Sequence, residues 1–245
     1  MNFKRILALL KMELLKAIRE PAFFFLMLLF PALLTIMFGL VFGDSELGMS
    51  MNTIAPGLFA YACIFIIMTV AQSFTEMRDQ GLLRRLNTTP MTSADFIASE
   101  ILSNMIIVVL QVIIIYILAI PFGFTPNTSA VGMVLAFLLM IVFSLSSVGL
   151  GLITATVSKS SGTATGLSFI FILPQMFLGT FIPVTATTEV IAMFLPSYHA
   201  TQALTAIFSG NLTDPLVLTG FTFISIVSIA IVIIGILLFK KSGNK

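Results

Sequence analysis

A chain of 245 residues with 58% apolar and only 9% charged positions falls far from the ~25% charge of a soluble globular domain. Its single cysteine, Cys63, excludes an intrachain disulfide, and its formal net charge of +2 gives no sign of a nucleic-acid partner. What remains is a membrane protein with little chain left over for a soluble domain.

The first predicted element is an amphipathic helix over residues 3–19. At 100° per residue, Phe3, Ile6, Leu7, Leu10, Leu14, Ala17 and Ile18 share an arc of ~120°, while Lys4, Arg5, Lys11, Lys16 and Arg19 lie elsewhere. Such a helix lies in a membrane interface with its cations toward anionic headgroups, and also offers a contact surface to a cytoplasmic partner. Seven charges interleaved through residues 1–20 argue against a cleavable signal. Residues 1–21 are therefore assigned to this interfacial helix and 22–245 to one all-α membrane domain. Pro21 turns the chain into the first span, because the residue before a proline is pushed away from helical geometry.

Six apolar stretches follow, at 22–43, 54–75, 97–120, 130–157, 163–182 and 216–239. Each is long enough to cross a core of ~30 Å as a helix rising ~1.5 Å per residue. With six crossings and both termini cytoplasmic, all twelve Lys and Arg residues fall inside, which is the bias that orients membrane proteins. Six acids join them, and Asp44, Glu46, Glu189 and Asp214 lie outside, so the two sides carry +6 and −4.

The first span contains Pro31 and ends in Gly39-xxx-Gly43, a spacing that lets helices approach closely in lipid. After the second span comes a polar stretch, 76–92. Thr92-Ser93-Ala94-Asp95 then has the form of a capping box for the third span, whose first turns hold Glu100, Ser103 and Asn104. A carboxylate there is a candidate for a transport role, or simply reaches interfacial water or a neighbouring Arg. Residues 121–127 form an uncharged outer turn. Ser147, Gly151 and Ala155 make a close-packing stripe on the fourth span, and Gly162-xxx-Gly166 opens the fifth. Pro174 interrupts the fifth span and Pro183 stops it. Residues 183–213 carry two short apolar patches, Val190–Leu195 and Ala203–Phe208, too short to cross. They are predicted to be re-entrant helices dipping into the outer leaflet. His199, the one histidine, reads as a hydrogen-bonded loop residue rather than a metal ligand.

The chain has no phosphate-cradling G-x-x-x-x-G-K-[ST] loop, no G-x-S-x-G elbow and no H-E-x-x-H or other metal spacing. Its spans lack the chains of acids or histidines expected of an ion-driven pump. These absences point to a passive translocation domain driven from outside itself. The polar stretch, Glu76-Met77-Arg78-Asp79-Gln80-Gly81-Leu82-Leu83-Arg84-Arg85-Leu86-Asn87-Thr88-Thr89-Pro90, offers the means. Leu82, Leu83 and Leu86 form one face of a short helix bounded by Gly81 and Pro90, with Arg84 and Arg85 off that face. Such a knob inserts in a groove on a cytoplasmic partner. A solvated loop whose arginines only enforce topology explains the same pattern equally well.

The run E-x-R-D-x-G-L-L-R-R-L-x-x-T-P resembles the signature of permeases of the ABC type-2 exporter family, and it stands where that family has it, after the second span. Gln80-Gly81-Leu82 departs from the charged residue before Gly and the Thr after it that the family often shows. The resemblance implies a transmembrane dimer, homo- or heterodimeric, in a bacterial or archaeal cytoplasmic membrane. Each chain would rest on a separate ABC ATP-binding subunit that holds the ATP and Mg, leaving this chain without cofactor, catalytic residues or enzymatic activity. It further implies a coupling helix over residues 78–90, braced against the N-terminal helix by Glu76 to Asp79. The partner-coupling set is then Glu76, Arg78, Asp79, Gly81, Leu82, Leu83, Arg84, Arg85, Leu86 and Pro90. The dimer contact would use the first and fifth spans, with Gly39, Gly43, Gly162 and Gly166. An ion-coupled secondary transporter or channel is the rival class, and it would need charges or a polar filter within its spans. An interior rich in Phe and Met suits an amphiphilic cargo such as a lipid, a drug (multidrug efflux) or a lipopeptide; plain lipid-compatible packing accounts for the same composition.

Overall fold

The computed structural model describes residues 3–19, 21–42, 50–81, 93–181 and 185–243. Every regular element among them is helical: α1 (Phe3–Arg19), α2 (Pro21–Phe42), α3 (Met51–Asp79), α4 (Ser93–Ala119), α5 (Ala130–Val157), α6 (Ser161–Met176), α7 (Ala186–Ala192), α8 (Pro196–Phe208) and α9 (Pro215–Gly243). A 3₁₀ turn, Ile120–Phe122, extends α4, and a π-helical turn, Phe177–Phe181, extends α6. Among the described residues five helices are long and apolar enough to cross a membrane: Met51–Asp79, Asp95–Phe122, Ala130–Val157, Ser161–Phe181 and Pro215–Leu238. In α2, the apolar part whose side chains are described, Leu28–Phe42, is shorter.

The hub is α3, which is buried almost along its whole length and packs on α5, α6, α8, α4 and α2. Its neighbour α5 lies between α3 and α9, and glycines set both approaches. A Cβ on Gly151 would stand 2.7 Å from Val70 on α3, and one on Gly149 would stand 2.8 Å from Ile231 on α9. Gly235 returns the second contact against the Gly149 carbonyl. The predicted Ser147/Gly151/Ala155 stripe is thus buried, with Gly151 meeting α3. Without a hydrophobic drive between helices in lipid, such backbone-to-backbone approaches supply the packing. The remaining faces are apolar and exposed, among them Leu40, Ile117, Ile170, Leu218 and Ile226. That arrangement inverts a soluble bundle and suits lipid as the surrounding solvent.

At one end, the 123–129 loop is tied down rather than free. Phe124 is buried among Phe59, Tyr116 and Phe208. Asn52 accepts from the Thr125 amide at 2.8 Å, and the Asn127 amide donates to the Phe208 carbonyl at 2.8 Å. The 186–208 region forms two helices whose bounds differ from the sequence reading. Pro196 opens α8, because a proline at the first helical position gives up an N–H that has no partner there anyway. His199 accordingly sits on a helix, hydrogen-bonded to the Met193 carbonyl at 2.9 Å and stacked on Phe223 at 3.8 Å between ring centroids. Pro183 lies outside the described residues.

The break in the fifth apolar stretch has a local cause and a partner. Pro174 interrupts the hydrogen-bond ladder of α6, and the π turn follows. The Gln175 carbonyl accepts from Ser197 Oγ on α8 at 3.0 Å. Gly179 makes room, since a Cβ there would collide with the Ser197 side chain.

Candidate functional site

The opposite end of the bundle holds the described part of the polar stretch. There α3 runs to Asp79, and Gly81 adopts φ +67°, with its amide on the Arg78 carbonyl at 3.0 Å. A residue without a Cβ suits this left-handed stop. Just before it, two charges of opposite sign meet two helix ends. Arg78 Nη1 donates to the Ala155 carbonyl at 3.0 Å, and Nη2 donates to the Ser158 carbonyl. These carbonyls belong to the last turn and cap of α5, where the helix leaves acceptors unpaired and its dipole is negative. Glu76 Oε1 accepts from Ser161 Oγ at 3.2 Å, and Ser161 is the first residue of α6, the positive end of that helix. A turn of only three residues, Ser158 to Ser160, joins the two helix ends. A reciprocal Ser160/Thr163 capping box fixes the start of α6.

One turn deeper, Gln72 Nε2 donates to Thr165 Oγ1. The contacts keep step: four residues back along α3 correspond to four forward along α6, the register of an antiparallel pair. Thr69 and Ser168, the next positions in that register, are both buried. Asp79 is exposed and reaches Arg78 at 3.8 Å, a surface pair of little energetic weight.

Glu76 and Arg78 engage the α5–α6 turn, while α1 packs chiefly along α4 with α2 beside it. On α1, Ile6, Leu9 and Glu13 are buried, while Phe3, Leu7 and Ile18 of the apolar arc stand exposed.

The first turns of α4 carry buried Asp95, Ser99, Glu100, Ser103 and Asn104. Asn104 Nδ2 donates to the Glu100 carbonyl at 2.8 Å and to its carboxylate at 3.4 Å. Leu82, Leu83, Arg84, Arg85, Leu86, Pro90 and Thr92 lie outside the described residues, as does Gly43. The other glycines of the predicted dimer contact differ among themselves. A Cβ at Gly39 would collide with the Phe122 ring, so its close approach is used within the chain. Gly162 and Gly166 have open space where a Cβ would go.

Among the described residues no group of His, Cys, Asp and Glu could hold a metal ion. What the arrangement offers is mechanical: a polar stretch leaving a buried central helix at the point where that helix grips two others. The contacts of Arg78 and Glu76 were missed from the sequence because both partners lie more than seventy residues away. The helix-ending Ser158-Lys159-Ser160-Ser161 turn was the available signal.

A family model described as ABC-2 type transporter matches residues 4–209, from α1 through α8. No curated protein matches the chain in sequence.

Proposed function

This chain belongs to the ABC-2 type transporter family, a multi-pass membrane permease, and from that premise we propose that it is the membrane subunit of an ATP-driven exporter. Energy comes from a separate ATP-binding subunit, since this sequence lacks a phosphate loop. The observation that carries the reading is the anchoring of the polar stretch. Its first residues are held by both α5 and α6, so a push on residues 82–90 has a firm point of application. Leu82, Leu83 and Leu86 supply the apolar face toward the partner's groove, with Arg84 and Arg85 beside it.

In this reading α2, a helix of 22 residues, is the sixth span, and α7 and α8 form the re-entrant pair that caps the outer mouth. The contacts support the alternation: Asn52 meets Thr125 and Asn127 meets Phe208 at one end, and Arg78 meets Ser158 and Glu76 meets Ser161 at the other. The cationic end faces the cytoplasm of a bacterial or archaeal cell. Two chains assemble through α2 and α6, with Gly162 and Gly166 open toward the second copy. Nucleotide-driven closure of the partner then biases inward- against outward-open states. The apolar interior takes an amphiphile, a lipid, hydrophobic drug or lipopeptide. The test is ATP hydrolysis in proteoliposomes: absent with this chain alone, present with its ATP-binding partner and stimulated by cargo. Hydrolysis by the purified chain alone, or a partner indifferent to it, would contradict the reading.

A further inference from the structure

We propose that Glu76 and Arg78 are positioning residues that yoke the inner end of α3 to the α5–α6 turn, so that displacement of the polar stretch is delivered to α6. The proposal rests on the coupling role given to residues 76–90 and adds where the displacement goes.

Three observations carry it. First, each charge is matched to a helix end of opposite polarity. Arg78 lies on the carbonyl end of α5 and Glu76 on the amino end of α6. Exchanging the two residues would set both charges against the wrong dipole, so the order Glu-x-Arg suits this turn. Second, the grip continues one turn inward in register, where Gln72 Nε2 donates to Thr165 Oγ1 across the two helices. Beyond it, Thr69 and Ser168 are buried and bond carbonyls of their own helices. The inner halves of α3 and α6 therefore move as one body. Third, the helical ladder is broken at both ends of that body. Gly81, at φ +67°, separates the yoke from the stretch beyond it, and at the far end α6 is interrupted by Pro174 and the π turn. Between them, the Gly162–Gly166 edge of α6 is open. Motion of the yoke thus arrives at a surface left uncovered by the described residues.

The experiment is amide hydrogen exchange of residues 158–166 in the purified complex with the ATP-binding partner, compared between ADP and ATP with vanadate. In the wild type, exchange changes several-fold between the two nucleotide states. Arg78→Ala and Glu76→Gln abolish that difference in the complexes that assemble, and Arg78→Lys restores part of it. A merely structural role would shift exchange equally in both states and leave the difference intact, and that result overturns the proposal. A disulfide between Gln72→Cys and Thr165→Cys, in a Cys63→Ala background, preserves the difference if the two helices move together; its loss overturns the single-body claim. If the wild-type complex forms but shows no nucleotide-dependent change here, the yoke fails and the coupling reading stands. If no complex forms at all, both fail.

Discussion

Gly39 and Gly162 look alike in the sequence, each the first glycine of a small-xxx-small spacing, yet they meet different surroundings. Phe122 occupies the space above Gly39, and nothing occupies the space above Gly162. Gly39→Leu should therefore cost the fold about 1–3 kcal/mol through overpacking, seen as a lower melting temperature in detergent. Gly162→Leu should leave melting unchanged and weaken self-association by ~1 kcal/mol, measured by equilibrium sedimentation. Equal melting temperatures for both variants would contradict the assignment. Phe124 makes the complementary case. In sequence it is one apolar residue in an outer turn. In the fold it fills a site between Phe59, Tyr116 and Phe208, so Phe124→Ala should destabilise by about 3 kcal/mol, read from the same melting curves. Neither Phe122 nor Phe124 was legible as a partner, because periodicity marks a face of an element and says nothing of which distant residue covers it.

At the scale of elements, the sequence was informative wherever an apolar run was long. The N-terminal helix and the second, third, fourth and last apolar stretches appear as α1, α3, α4, α5 and α9. It was less so where short-range punctuation competed with tertiary packing. The patch Val190–Leu195 gave no sign that Pro196, directly after it, starts α8, since a proline serves as a stop or a start and only the packing of α8 on α9, α5 and α3 decides. The helix ends also give a topology test. Exposed Ser129 and Asn211 cap one end of the bundle and exposed Gln80 and Ser160 the other. Single cysteines at Ser129 and Asn211, in a Cys63→Ala background, should react with an impermeant thiol reagent added to intact cells. Cysteines at Gln80 and Ser160 should react only after the membrane is opened. Labelling of both pairs from outside would remove the proposed orientation.

For the whole molecule, the described helices leave much of α6 and α9 apolar and uncovered, and the dimer proposed above would set a second chain against the α6 edge. The polar stretch was legible as a motif, and its mechanical anchoring was not, because Arg78 and Glu76 act on helix ends brought to them only by folding. The central claim is that residues 76–90 carry the drive from a separate ATP-binding subunit. It is tested most directly by Leu83→Asp with Leu86→Asp, which would place two carboxylates in an apolar groove where unpaired charge is costly. The measurement is copurification of the ATP-binding partner with the tagged chain, scored against the wild type at equal membrane insertion. The account predicts that the double variant inserts and folds normally but loses its partner. Retention of the partner at wild-type levels, with cargo-stimulated ATP hydrolysis intact, would contradict it.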